Sequence, residues 1–158
     1  MHETLGWQNM GWRQEAFECL PEFRELLQEE KSAYNFFGEL VSELEEAYET
    51  ENEDLIERIY QLVFRCFAAP RGKDASDDLP SAVACSFLEE IPQHKLIRQN
   101  IGRWFRRSDI LGMSEIFHYH GTEEQYQEML KSCDKRENRK ARSRNMQRMG
   151  TPPAKLGE

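Results

Sequence analysis

Phe37, Leu40, Val41, Leu44 and Tyr48 recur at intervals of three and four residues. That spacing gathers them on one stripe of a helix, whereas a strand, with its period of two, would scatter them over both faces. Residues 33–49 are therefore expected as an amphipathic helix, with Glu39, Glu43, Glu45, Glu46 and Glu49 mainly outside the apolar stripe. A second helix is expected over 53–68, carrying Leu55, Ile56, Ile59, Tyr60, Val63, Phe64 and Phe67. Asn52 reads as its N-cap, and Glu53 and Asp54 suit the positive end of its dipole. About three residues separate the two stretches, which predicts an antiparallel helical hairpin.

The rest of the chain follows the same logic. Residues 1–11 have no period and read as a flexible arm, pinned at most by Trp7. Residues 12–19 suit a short helix. Pro21 fits the first turn of another over 21–30, because that position needs no N–H. The Gly, Pro, Asp and Ser of residues 69–80 mark the main loop. Helices are then expected over 81–91, ended by Pro92, over 93–106, and from Ser108 or Asp109 to Gly121. Thr122-Glu-Glu-Gln125 is a capping box that opens a helix docked by Tyr126, Met129 and Leu130. Beyond Cys133 the apolar stripe stops. Residues 134–149 read as helical at most transiently, and 150–158 as disordered by composition. No stretch alternates like a strand. The expected fold is all-α, a small multi-helix bundle or a short HEAT-like stack, organised as an arm (1–11), one helical domain (12–131) and a basic, largely disordered tail (132–158).

Composition bounds the function. No run of about 20 apolar residues occurs, so no membrane span is expected, and residues 1–7 lack the basic start and apolar stretch of a secretory signal. Cys19, Cys66 and Cys85 lie among apolar neighbours with no Cys-x-x-Cys pair, which favours buried thiols in a reducing compartment and a cytoplasmic location. The charge is uneven. Residues 1–60 carry 4 basic and 16 acidic groups, and residues 131–158 carry 9 basic and 3 acidic.

The run from Phe23 to Phe67, followed by the segment from Ala82 to Pro92 with Ser86, Phe87, Leu88 and Glu89 at its centre, resembles a bacterial family of small all-helical proteins. That family is described as a domain of unknown function. The resemblance covers roughly residues 20–105. It implies a HEAT-like helical protein with an interaction role, immunity proteins that neutralise toxins being one example. It supplies no catalytic residues, and the basic segment after residue 131 departs from its pattern.

No residue pattern points to catalysis, a cofactor or a metal. His118 and His120 are the densest ligand cluster, but side chains at i and i+2 leave a helix on different sides. Histidines in a last helical turn are already favoured by the dipole. Cys133, in a basic segment, is the thiol expected to be most reactive. Trp104 and Phe105 in the Arg-rich stretch 103–107 read as core. Two charged segments remain. Glu39, Glu43, Glu46 and Glu49 offer an acidic helical face for a basic protein partner. Arg136, Arg139, Lys140, Arg142, Arg144 and Arg148 offer an alternative, a nucleic-acid contact through the tail. A solubilising tail, or one that covers the acidic face, competes with that alternative.

Overall fold

The computed structural model describes residues 11–29, 32–73 and 78–149, and every regular element among them is helical. In chain order these are α1 (Trp12–Cys19), a 3₁₀ turn (Pro21–Phe23), α2 (Arg24–Glu29), α3 (Ala33–Glu49), α4 (Glu53–Phe67), α5 (Leu79–Ser86), a 3₁₀ segment (Leu88–Gln93), α6 (Lys95–Asn100), a 3₁₀ turn (Ile101–Arg103), α7 (Arg107–Gly112), α8 (Ser114–His120), α9 (Glu123–Ser132) and α10 (Arg136–Met149). Among the described residues no helix is long and apolar enough to cross a membrane. Trp7 and residues 150–158 lie outside the described residues, and so do the expectations attached to them. The backbone contacts divide into two compact units, Met1–Phe87 and Leu88–Glu158, so the boundary falls inside the stretch read from sequence as one domain.

In the first unit α3, α4 and α5 pack on one another, and α1 packs on α4. Phe36, Phe37, Leu40, Val41, Leu44 and Ala47 of α3 meet Ile56, Ile59, Tyr60, Leu62, Val63 and Cys66 of α4 in a core closed by Val83 and Phe87. The expected three-residue connection is present. Glu51 takes a left-handed φ of 54° in it, a conformation that costs an L residue about 1 kcal/mol or more. Asn52 accepts the Leu55 N–H at 3.2 Å, the cap expected from sequence. Asp78 caps α5 and gathers its loop. Its carboxylate accepts the backbone N–H groups of Gly72 (2.6 Å) and Ser81 (3.1 Å), the Arg71 guanidinium (2.9 Å) and the Ser81 hydroxyl. Burial raises the Asp78 pKa, but those hydrogen bonds outweigh it and hold the carboxyl below its ordinary value.

Three of the expected long helices are segmented, the one expected from Ser108 or Asp109 to Gly121 being divided at Met113 into α7 and α8. The stretch expected over 81–91 becomes α5 and then the 3₁₀ segment, with Pro92 inside the latter. Pro92 has no N–H to continue an α-helix, and tighter 3₁₀ bonding suits such a junction. Cys85 is exposed rather than buried, because α5 turns Leu79, Pro80, Ala82 and Val83 inward and leaves the other side open. The stretch expected over 93–106 becomes α6 and a 3₁₀ turn, with Trp104 and Phe105 in the core as expected.

The second unit is organised around that 3₁₀ turn, which packs against both α9 and α10, while α8 packs on the 3₁₀ segment 88–93. Thr122 and Gln125 form the expected reciprocal capping box: Gln125 N–H donates to the threonine hydroxyl at 3.1 Å and Thr122 N–H to the glutamine carbonyl at 2.9 Å. Cys133 is not a surface thiol. It is buried, its Sγ lies 3.7 Å from the Phe105 carbonyl, and burial pushes its pKa up to about 11.

Where residues 134–149 were expected to be helical at most transiently, Arg136–Met149 is an α-helix with a buried face of Asn138, Ala141 and Asn145. The side chains on that face reach backbone carbonyls. Asn138 donates to Ser132 O (3.0 Å) and Gln99 O (3.3 Å), and Asn145 donates to Arg103 O (2.8 Å). Arg142 donates to Gly102 O (2.7 Å), Phe105 O (3.4 Å) and Cys133 O (3.4 Å). Short helices leave up to four carbonyls each without an intrahelical partner, and α10 supplies the missing donors.

Gly102 is the crossing point. Its N–H donates to Ser132 Oγ at 2.9 Å, and a Cβ there would stand 2.6 Å from Cys133 Cα and closer still to the Ser132 carbonyl. These are backbone atoms that no rotamer change can move. Gly102→Ala should lower unfolding stability by at least the 1–3 kcal/mol typical of overpacking, read as a fall in the urea midpoint. Gly38 lies exposed in α3, and a Cβ there would meet nothing within 4 Å. Gly38→Ala should therefore raise stability by about 0.5–1 kcal/mol through helix propensity.

Candidate functional site

The acidic face is built by α3. Its core stripe turns Phe36, Phe37, Leu40, Leu44 and Ala47 inward, so Glu39, Glu43 and Glu46, spaced four and three apart, fall on one outer stripe with Glu49 a turn further on. Glu39, Glu46 and Glu49 are exposed and Glu43 is half-buried. Burial, reinforced by Glu46 and Glu39, raises the Glu43 pKa above its ordinary value.

Four arginines of this unit are engaged elsewhere. Arg58 holds Glu22 (2.7 Å), Asp54 (2.9 Å) and the Cys19 carbonyl (3.0 Å). Arg65 holds Glu15 (2.9 Å) and Arg71 holds Asp78 (2.9 Å), while Arg13 donates to the Leu27 carbonyl (2.8 Å). Among the described residues no cation pairs with Glu39, Glu43, Glu46 or Glu49.

The basic residues named from sequence divide in two. Arg136, Arg139, Lys140 and Arg144 are exposed on α10. Arg142 is half-buried and its Nη1 donates to backbone carbonyls, so it also anchors the helix. The side chain of Arg148 lies outside the described residues. Ser143 and Gln147, which carry no charge to draw notice in the sequence, share the exposed face.

His118 and His120 do not converge. His118 Nδ1 lies 2.8 Å from the Ser114 carbonyl and Nε2 lies 2.9 Å from Glu123, while its ring sits 4.3 Å from that of Tyr126. The Ser114 carbonyl and then Glu123 raise the His118 pKa, since acceptors at both nitrogens favour the imidazolium. His120 faces Glu90 at 3.5 Å and Glu89 at 3.7 Å instead. No group of three His, Cys, Asp or Glu among the described residues could hold a metal ion.

The crowding on α3 has a measurable consequence. A carboxyl whose folded pKa is raised binds protons more readily in the folded state, so protonation as pH falls through that pKa favours folding. Glu43→Gln should raise stability at pH 7 by roughly 0.5 kcal/mol, the size of two relieved like-charge helix contacts. The difference from wild type should vanish once acid protonates Glu43. Thermal melting at pH 7 and pH 4 reads both.

The family described as a domain of unknown function (DUF7674) matches residues 13–108, a span that takes in α3 and its acidic stripe and ends before α10. No curated protein and no solved structure matches the chain. With well over half of its length inside that match, this all-helical chain belongs to the DUF7674 family.

Proposed function

We propose that the protein is a non-enzymatic interaction module whose α3 stripe binds a basic protein partner. The observation that carries this reading is the row of Glu39, Glu43, Glu46 and Glu49 without a counter-cation among the described residues, while Arg58, Arg65 and Arg71 each hold another group. Like charges at this spacing cost a helix a few tenths of a kcal/mol per pair. A basic surface would turn that cost into attraction and would recover the desolvated Glu43 carboxylate. A single-sign field also speeds encounter with an oppositely charged partner.

The finer reading extends the same proposal. A bacterial, cytoplasmic, HEAT-like protein of immunity type would use such a face on a toxin whose own active surface is basic. It rests on the resemblance of residues 20–105 and on charge complementarity.

The test is charge reversal. Glu43→Lys, Glu46→Lys and Glu49→Lys together should abolish capture of whichever basic proteins the wild type retains at physiological salt, with helix content unchanged by circular dichroism. Equal retention by the reversed, folded variant would overturn the acidic face.

A further inference from the structure

We infer that the outer face of α10 is a docking surface for the phosphate backbone of nucleic acid, formed by Arg136, Arg139, Lys140 and Arg144 with Ser143 and Gln147 between them. The inference is independent of the α3 reading.

The face is fixed rather than free. Asn138, Arg142 and Asn145 hold the opposite side of α10 to six carbonyls, and Ala141 lies flat against the unit. At 1.5 Å per residue, Arg136, Lys140 and Arg144 form a ladder with rungs about 6 Å apart, and Arg139 flanks it. Like charges stacked four apart destabilise a helix, and among the described residues none of these four cations has an ion-pair partner. Neighbouring arginines differ: Arg98 is paired with Glu128, Arg106 with Asp109 and Arg107 with Asp134. Glu137 is the one acidic residue in α10.

The chemistry of the face selects the occupant. Where arginines anchor a protein interface, aromatic or apolar side chains generally pack beside them. The exposed positions from Arg136 to Gln147 supply none; they are Arg, Lys, Glu, Ser and Gln. Phosphate contacts need only what is present, namely guanidinium and ammonium groups with hydroxyl and amide donors between them. A ladder about 12 Å long suits a continuous polyanion better than one isolated phosphate. The charge of the second unit agrees with this, within a chain of net charge −8. Residues 88–158 carry 14 basic and 10 acidic groups, whereas residues 1–87 carry 7 and 19.

The test uses the full chain and three fluorescent probes: a mixed-sequence 20-base-pair DNA duplex, a single-stranded RNA of equal length, and poly-glutamate. Binding is followed by anisotropy between 50 and 200 mM salt. Four phosphate contacts predict a slope of log affinity against log salt of about −3.5 for the duplex and about −3 for the single strand. For the duplex that is about a hundredfold loss across the range. The larger affinity at matched salt identifies the form of nucleic acid preferred.

R136Q/K140Q/R144Q should weaken binding at least tenfold and flatten the slope by two to three. The helix is checked by circular dichroism. If the triple variant unfolds, K140Q and R144Q singly should each lower the slope by about one. Absence of salt-dependent binding to both nucleic acids would overturn the inference. Folded Gln variants that bind as wild type, or tighter binding of poly-glutamate than of either nucleic acid, would do the same.

Discussion

One guanidinium and one missing methyl group hold the second unit together. Arg142 reaches the carbonyls of Gly102, Phe105 and Cys133, and Gly102 lets the backbone at Ser132 and Cys133 approach within a distance that any side chain would forbid. The carbonyls it satisfies belong to a junction of short elements, where intrahelical bonding runs out at each end. A buried carbonyl without a donor costs about 1–3 kcal/mol. Placing one cation across three carbonyls therefore stabilises the junction more than an apolar contact of the same area would. Within residues 88–149, α10 is the element that donates to this junction.

This arrangement explains what could be read from the sequence and what could not. The hairpin of α3 and α4 was legible because its stripe is made of Phe, Leu, Ile and Val at helical spacing, and its cap, Asn52, is a residue type with one clear local use. The Thr122–Gln125 box was legible for the same reason. Helix α10 was not, although Asn138, Ala141, Arg142 and Asn145 obey the same three-and-four spacing. Periodicity is sought in apolar residues, and here the inward stripe is polar, its value set by carbonyls from residues 99 to 133 that no local pattern reveals. The breaks at Phe87 and Ile101 were hidden too. Pro92 announced a stop, but a 3₁₀ segment can carry it internally, and the need for glycine at 102 arises from a helix 30 residues away.

The candidate faces were legible as charge and not as geometry. Counting residues located the acids and the bases. It could not show that Arg58, Arg65 and Arg71 are engaged elsewhere, nor that burial and two neighbours raise the pKa of Glu43. It also treated the six candidate contact residues of the C-terminal segment as equivalent. Docking separates them: Arg142 becomes structural, while Arg136, Arg139, Lys140 and Arg144 stand outward on a fixed helix. The same polar stripe that concealed α10 in the sequence is what presents those four side chains together.

The central claim is that α10 is a docked part of the fold. Amide hydrogen exchange followed by mass spectrometry tests it directly, since protection reports the free energy of local opening. The account predicts that peptides covering residues 138–147 are protected to the same order as those covering Glu123–Ser132, against which the same junction is built. Exchange of 138–147 at the rate of an unstructured peptide, with 123–132 still protected, would contradict it.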